Sequence, residues 1–109
     1  MTAVNELPPA FRQMIEATNA ADNEAFLDAF TADAVVDDWG RTFVGRKGIS
    51  GWNDRENIGV HSRIVVHGVT TDGPLSVANI DVSGSGYNGT GTFAAEISEG
   101  RIKRLTIRG

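Results

Sequence analysis

The 109-residue sequence contains no cysteine, which removes disulfides, thiolate metal sites and cysteine nucleophiles from consideration and gives no sign of an oxidising compartment. Basic charge is also short. Ten lysines and arginines against fourteen acids leave a net charge of −4, the wrong sign for gripping a phosphate backbone, so nucleic acid is not an expected partner. No apolar run approaches the length of a membrane span, and the opening MTAVNELPPAF lacks the charged-then-apolar pattern of a signal peptide. The expectation is a cytoplasmic protein with no membrane partner. There are two histidines, His61 and His67. They are not spaced as an adjacent-turn metal pair, and a structural role is the expectation for each. Neither a metal nor an organic cofactor is implied.

What remains is ordinary for one globular domain spanning residues 1–109: 40% hydrophobic and 22% charged residues, enough for a single core without staples. Leu7-Pro8-Pro9 suits a first helical turn, because proline has no N–H to lose there. Phe11, Met14, Ile15 and Thr18 then fall on one stripe of a helix. Asp22 is a good N-cap for a second helix with Phe26, Ala29 and Phe30 inward, ending near Thr31. Ala34 to Asp38 alternates as a strand, and Gly40 turns the chain. A third helix follows Gly45, with Ile49, Trp52, Asn53 and Glu56 on one stripe and Gly59 placed to stop it in the left-handed conformation. From His61 the period changes to two. Four strands are expected at Ser62–Thr71, Leu75–Ser83, Gly91–Ser98 and Ile102–Arg108, separated by turn-forming Asp72-Gly73-Pro74, a loop with Asn88-Gly89, and Glu99-Gly100. The economical architecture is α+β, with three helices covering one face of a curved, mostly antiparallel sheet.

Chemistry concentrates in the stretch DAVVDDWGRTFVGRKGISGWNDRENIG, Asp33 to Gly59. Alternation places Asp38 on the face of Ala34 and Val36 and Asp37 on the other. A carboxylate held among apolar groups is a candidate base or hydrogen-bond donor, so Asp38 is the candidate catalytic residue. Arg41 is expected to pair with Asp37 and orient the turn. Arg101, Lys103, Arg104 and Arg108 read as a solvated basic face. The glycine-rich GSGYNGTG, residues 84–91, lacks the lysine of a phosphate loop and joins strand to strand, so it reads as a hairpin loop with Tyr87 at a pocket mouth or a core edge.

The run AFRQMIEATNAADNEAFLDAFTADAVVDDWGR, the G-x-x-x-I helix start at Gly45–Ile49 and the closing EGRIKRLTI resemble the SnoaL-like and ketosteroid-isomerase-like branches of the nuclear transport factor 2-like superfamily. The resemblance implies a cone in which helices close a curved sheet around an apolar pocket, and members often pair through the sheet as homodimers. It places Asp38 at the position of the proton-moving aspartate of ketosteroid-isomerase-like enzymes. It also places Met14 where those enzymes carry a tyrosine, and Thr92 or Phe93 where they carry a late-strand acid. The late-strand acid of SnoaL-type cyclases has no counterpart in GTGTFAAEI, and Asn79-Ile80-Asp81 departs from the arginine and aspartate of limonene-epoxide-hydrolase-like members. The implied ligand is a small apolar or carbonyl-containing molecule. Asp38 is the expected acid/base, and Met14, Trp52, Glu56, Tyr87 and Phe93 are the expected substrate-binding residues. The alternative is a non-catalytic ligand-binding or dimerisation module with the same cone. The homodimer would form through the outer sheet face, at Val65, Val69 and Val77.

Overall fold

The computed structural model describes residues 6–109; the opening MTAVN of the segment read for a signal pattern lies outside them. Pro8 and Pro9 launch helix α1 (Pro9–Ala20), whose stripe of Phe11, Met14, Ile15 and Thr18 is buried as its spacing requires. Asp22 then accepts the Ala25 N–H at 3.1 Å and starts α2 (Asn23–Asp28). That helix stops earlier than expected. Ala29 O accepts the Ile102 N–H, and Phe30 pairs with Ile102, so sheet pairing draws Phe30 and Thr31 into strand β1 (Phe30–Asp38).

Trp39 and Gly40, both at positive φ (54° and 90°), make the two-residue reversal from Asp38 to Arg41 at the head of β2 (Arg41–Val44). Helix α3 (Gly45–Glu56) buries Ile49, Trp52 and Asn53. The expected left-handed stop at Gly59 does not occur. The helix ends at Glu56, a single 3-10 turn (Ile58–Val60) follows, and His61 takes the left-handed conformation. Gly59 answers a different need, since a Cβ there would lie 1.5 Å from the Asp54 carbonyl oxygen.

Strands β3 (Arg63–Asp72), β4 (Leu75–Ser83), β5 (Gly89–Ser98) and β6 (Arg101–Arg108) form the antiparallel meander, and β1 joins it parallel to β6, giving the order β2-β1-β6-β5-β4-β3. The expected α+β architecture of three helices on a mostly antiparallel sheet is the one observed. Helix α1 lies against β3 and β6, and α2 and α3 against β1. A bulge between Val66 and Gly68 reverses the faces of β3, so Val65 stays exposed while Val69 packs against the core. The expected outer patch of Val65, Val69 and Val77 therefore loses Val69.

A buried polar network ties α1 to α3. The Thr18 hydroxyl donates to the Met14 carbonyl and accepts from Asn57 Nδ2, which also donates to Asn53 Oδ1; Asn53 Nδ2 donates to Asn23. Asn19 clasps both backbone groups of Ile64, fastening α1 to the start of β3. No buried polar side-chain atom among the described residues is left unpaired, the condition for polar groups inside a core to specify structure without a desolvation penalty.

Candidate functional site

A cavity of about 310 Å³ opens between the end of β1, the last turns of α3 and the inner faces of β3 to β6, near the lower end of the range for small-molecule sites. Ile64, Ile80, Val82, Phe93 and Ile107 make its apolar wall. These are alternate positions of neighbouring strands, so one face of the sheet supplies them all. Of the residues named for the site, Asp38, Trp52, Glu56, Tyr87 and Phe93 lie in its lining. Met14 does not. It is 1% exposed in the core and absent from the lining, because the stripe of α1 is buried against the sheet at β3 and β6.

Asp38 carries the polar corner. Its Oδ2 accepts from Trp52 Nε1 at 3.1 Å and from Arg41 at 2.6 Å. Its Oδ1 takes no hydrogen bond from the described residues and is not among their fully buried atoms, so this oxygen is open. Arg41 also holds Glu56 through both carboxylate oxygens, at 2.6 and 2.9 Å. The expected Arg41–Asp37 pair is thus replaced by a bridge from Asp38 to Glu56, because the tight turn at Trp39-Gly40 returns Arg41 to the register position opposite Asp38. The bond from Glu56, then the charge of Asp38, pushes the Arg41 guanidinium above its ordinary range. Two acids on one wall are held with a cation between them.

Asp37 faces the other way. Its carboxylate accepts from Arg108 (3.1 and 3.2 Å), Arg104 (2.9 Å) and the Gly40 N–H (2.8 Å). Arg104 and Arg108 flank Thr106, the β6 partner of Asp37, and residues four apart on a strand share a face. The bond from Arg108, then that from Gly40, holds the Asp37 carboxyl down to about 2. The basic face expected to be solvated is therefore partly a clamp for a 7%-exposed aspartate.

Sequence reasoning missed several parts of the lining. Trp39 is 61% exposed and, as a bulky residue in the left-handed region, occupies a turn position that glycine or asparagine would fill without strain. Such strain is a pointer to function that only the backbone reveals. Arg55, Asn57 and Ser62 also line the cavity. Arg55 forms no ion pair among the described residues. The glycine-rich loop is a hairpin connection, as expected, and it docks on the 3-10 turn: Ser85 N–H donates to the Val60 carbonyl, and a Cβ at Gly84 or Gly86 would collide with His61 or Val60. Tyr87 donates to Thr90 O at 2.7 Å, which fixes its exposed ring at the mouth. His67 pairs with Asp81 at 2.8 Å away from the cavity, and His61 is not in the lining. Among the described residues no group of three His, Asp or Glu side chains is placed to hold a metal ion, and no helix is long and apolar enough to cross a membrane.

The family model for the SnoaL-like domain matches residues 11–105. Among solved structures, a Sinorhizobium meliloti protein named as a candidate polyketide cyclase superimposes with a TM-score of 0.85 at 28% identity, covering 96% of this chain and 98% of that one. The Δ5-3-ketosteroid isomerase of a Mycobacterium species gives 0.80 at 16% identity, over 100% and 94% of the two chains. A Mycobacterium tuberculosis protein in complex with estradiol-17β-hemisuccinate gives 0.80 at 13% identity, over 98% and 93%. At these identities the last two speak for the fold alone. Comparison with curated proteins gives no match.

Proposed function

The chain belongs to the SnoaL-like domain family, and from that premise we propose that its cavity binds a small apolar molecule carrying a carbonyl or hydroxyl oxygen, with Asp38 as the acid/base of a cofactor-independent isomerase- or cyclase-type reaction. The observation that carries this reading is the half-satisfied carboxylate. Oδ2 is fixed by Trp52 and Arg41 while Oδ1 remains open on a side chain 13% exposed. A base must be oriented by one group and free toward its substrate. In the step supported, Oδ1 takes a proton from the carbon beside a carbonyl, and the electron pair moves onto the carbonyl oxygen as an enolate. Asp38 then returns the proton to the same or a conjugated carbon. No redox partner is needed.

The test uses 2-tetralone, a bicyclic ketone with acidic α-protons. Proton NMR in D2O should show exchange accelerated by the protein and lost in Asp38→Asn. Binding without accelerated exchange would favour the second reading, a non-catalytic ligand-binding module. One observation supports that alternative: Met14 is out of the cavity and Phe93 offers no hydrogen-bond donor, and a missing oxyanion donor typically costs a factor of ~10²–10³. The proposal also includes a homodimer through the outer sheet face around the exposed Val65. Light scattering at high micromolar concentration should give twice the chain mass, and a monomer there removes the dimer.

A further inference from the structure

The cavity has a second pair of polar groups, which follow Glu56 in the chain and make no bond to Asp38. Asp38 ends β1, whereas Ser62 sits at the entry to β3, the opposite edge strand from β2. Ser62 is 6% exposed and lines the cavity. Its backbone N–H donates to the Asn57 carbonyl at 3.1 Å, while its hydroxyl makes none of the side-chain hydrogen bonds among the described residues and is solvent-accessible. Asn57, 5% exposed, stands beside it in the lining.

The buried network settles which end of the Asn57 amide faces the cavity. The Thr18 hydroxyl proton is committed to the Met14 carbonyl, so Thr18 can only accept. Asn53 Oδ1 can only accept as well, and already takes the Ile58 N–H. Both therefore require the Asn57 NH2. That turns Asn57 Oδ1 away from the network, with no partner among the described residues and not among the fully buried atoms. A rotatable hydroxyl donor and a fixed amide acceptor thus line the same cavity, on residues joined by a backbone hydrogen bond.

The geometry points to Ser62 and Asn57 as a specificity-determining anchor for a ligand hydroxyl group distinct from the oxygen that meets Asp38: Ser62 donates to the hydroxyl oxygen and Asn57 Oδ1 accepts its proton. This rests on the reading that the cavity takes an oxygen-bearing apolar ligand, and it narrows the class to molecules carrying two oxygens. Neither residue takes part in the proton transfer. A ligand that fills the cavity but lacks the second oxygen would cover both groups without a partner, and that loss makes the pair selective.

Three fluorescent probes of one shape test the anchor: 2-naphthol, 2,6-dihydroxynaphthalene and 6-methoxy-2-naphthol. On wild type, titration should give the diol about tenfold tighter binding than 2-naphthol, with the methoxy compound close to 2-naphthol because it has no proton for Asn57. In Ser62→Ala the diol should weaken to within about threefold of 2-naphthol measured on the same variant. Equal wild-type affinities for the diol and 2-naphthol, or a gap that survives in Ser62→Ala, would overturn the anchor and leave the ligand-binding reading standing. Absence of binding by all three probes would overturn both. Because the wild-type comparison is complete on its own, a variant that fails to fold does not shelter the idea.

Discussion

Asp37 and Asp38 are adjacent, identical in side chain and opposite in circumstance. On the outer face of the sheet, Asp37 has both carboxylate oxygens engaged by two arginines and a backbone N–H. On the inner face, Asp38 has one oxygen held and one open to a cavity. The first arrangement leaves nothing for a ligand to take, and is what a structural clamp looks like. The second orients a carboxylate and leaves it unfinished. Residue type did not separate the two roles; the count of unsatisfied lone pairs does.

The comparison breaks most visibly in activity. Asp38→Asn should slow 2-tetralone exchange by ~10²-fold or more while shifting stability by no more than ~1 kcal/mol, since the lost ion pair is partly solvated and Arg41 keeps Glu56. Retained exchange in a folded mutant would place the base elsewhere. Asp37→Asn should do the reverse. It strands Arg104 and Arg108 and should lower Tm by several degrees, yet 2-naphthol affinity measured well below that Tm should be unchanged; a large affinity loss would mean the two faces are coupled.

Acid sharpens the same contrast. The Asp37 carboxyl is held at about 2 against an ordinary 3.8. A carboxylate with a depressed folded pKa stabilises the fold fully above its unfolded value and loses that contribution as pH falls toward the folded one. The stability gap between wild type and Asp37→Asn should therefore be constant from pH 7 down to about pH 5, shrink between about 4 and 2, and be nearly gone below. Urea melts across that series read it directly, and a gap independent of pH would show that the clamp acts through packing alone.

The smallest effect concerns the cation between the acids. Arg41→Met removes the bridge from Asp38 to Glu56, and 2-naphthol affinity should change by roughly three- to tenfold, with little change in stability because the bridge is solvated. A stability loss without an affinity change would return Arg41 to the turn-orienting role expected from its neighbours in sequence.

How far the sequence reaches can be read from particular residues. Period and punctuation determined the elements: the stripe from Phe11 to Thr18, the cap at Asp22, and the glycine turns between the late strands all stand where local stereochemistry put them. Strand alternation placed Asp38 on the inner face with Val36, the helical stripe put Trp52 and Glu56 together, and the family resemblance added Phe93 and the pocket that the mouth position of Tyr87 requires. The elements and the faces of their side chains are short-range consequences of φ/ψ preference and periodicity, which each segment carries within itself. The rest was decided by pieces distant in sequence meeting in space. The parallel pairing of β1 with β6 brought Arg104 and Arg108 to Asp37, ended α2 early at Ala29, and left the arginine nearest in sequence free to bridge Asp38 and Glu56. The bulge in β3 withdrew Val69 from the outer face, and the depth of α1 put Met14 in the core. Register and packing distance have no local signal, because they minimise over all the contacts at once; so did the network that turned the Asn57 amide and opened its oxygen, with the Ser62 hydroxyl, to the cavity.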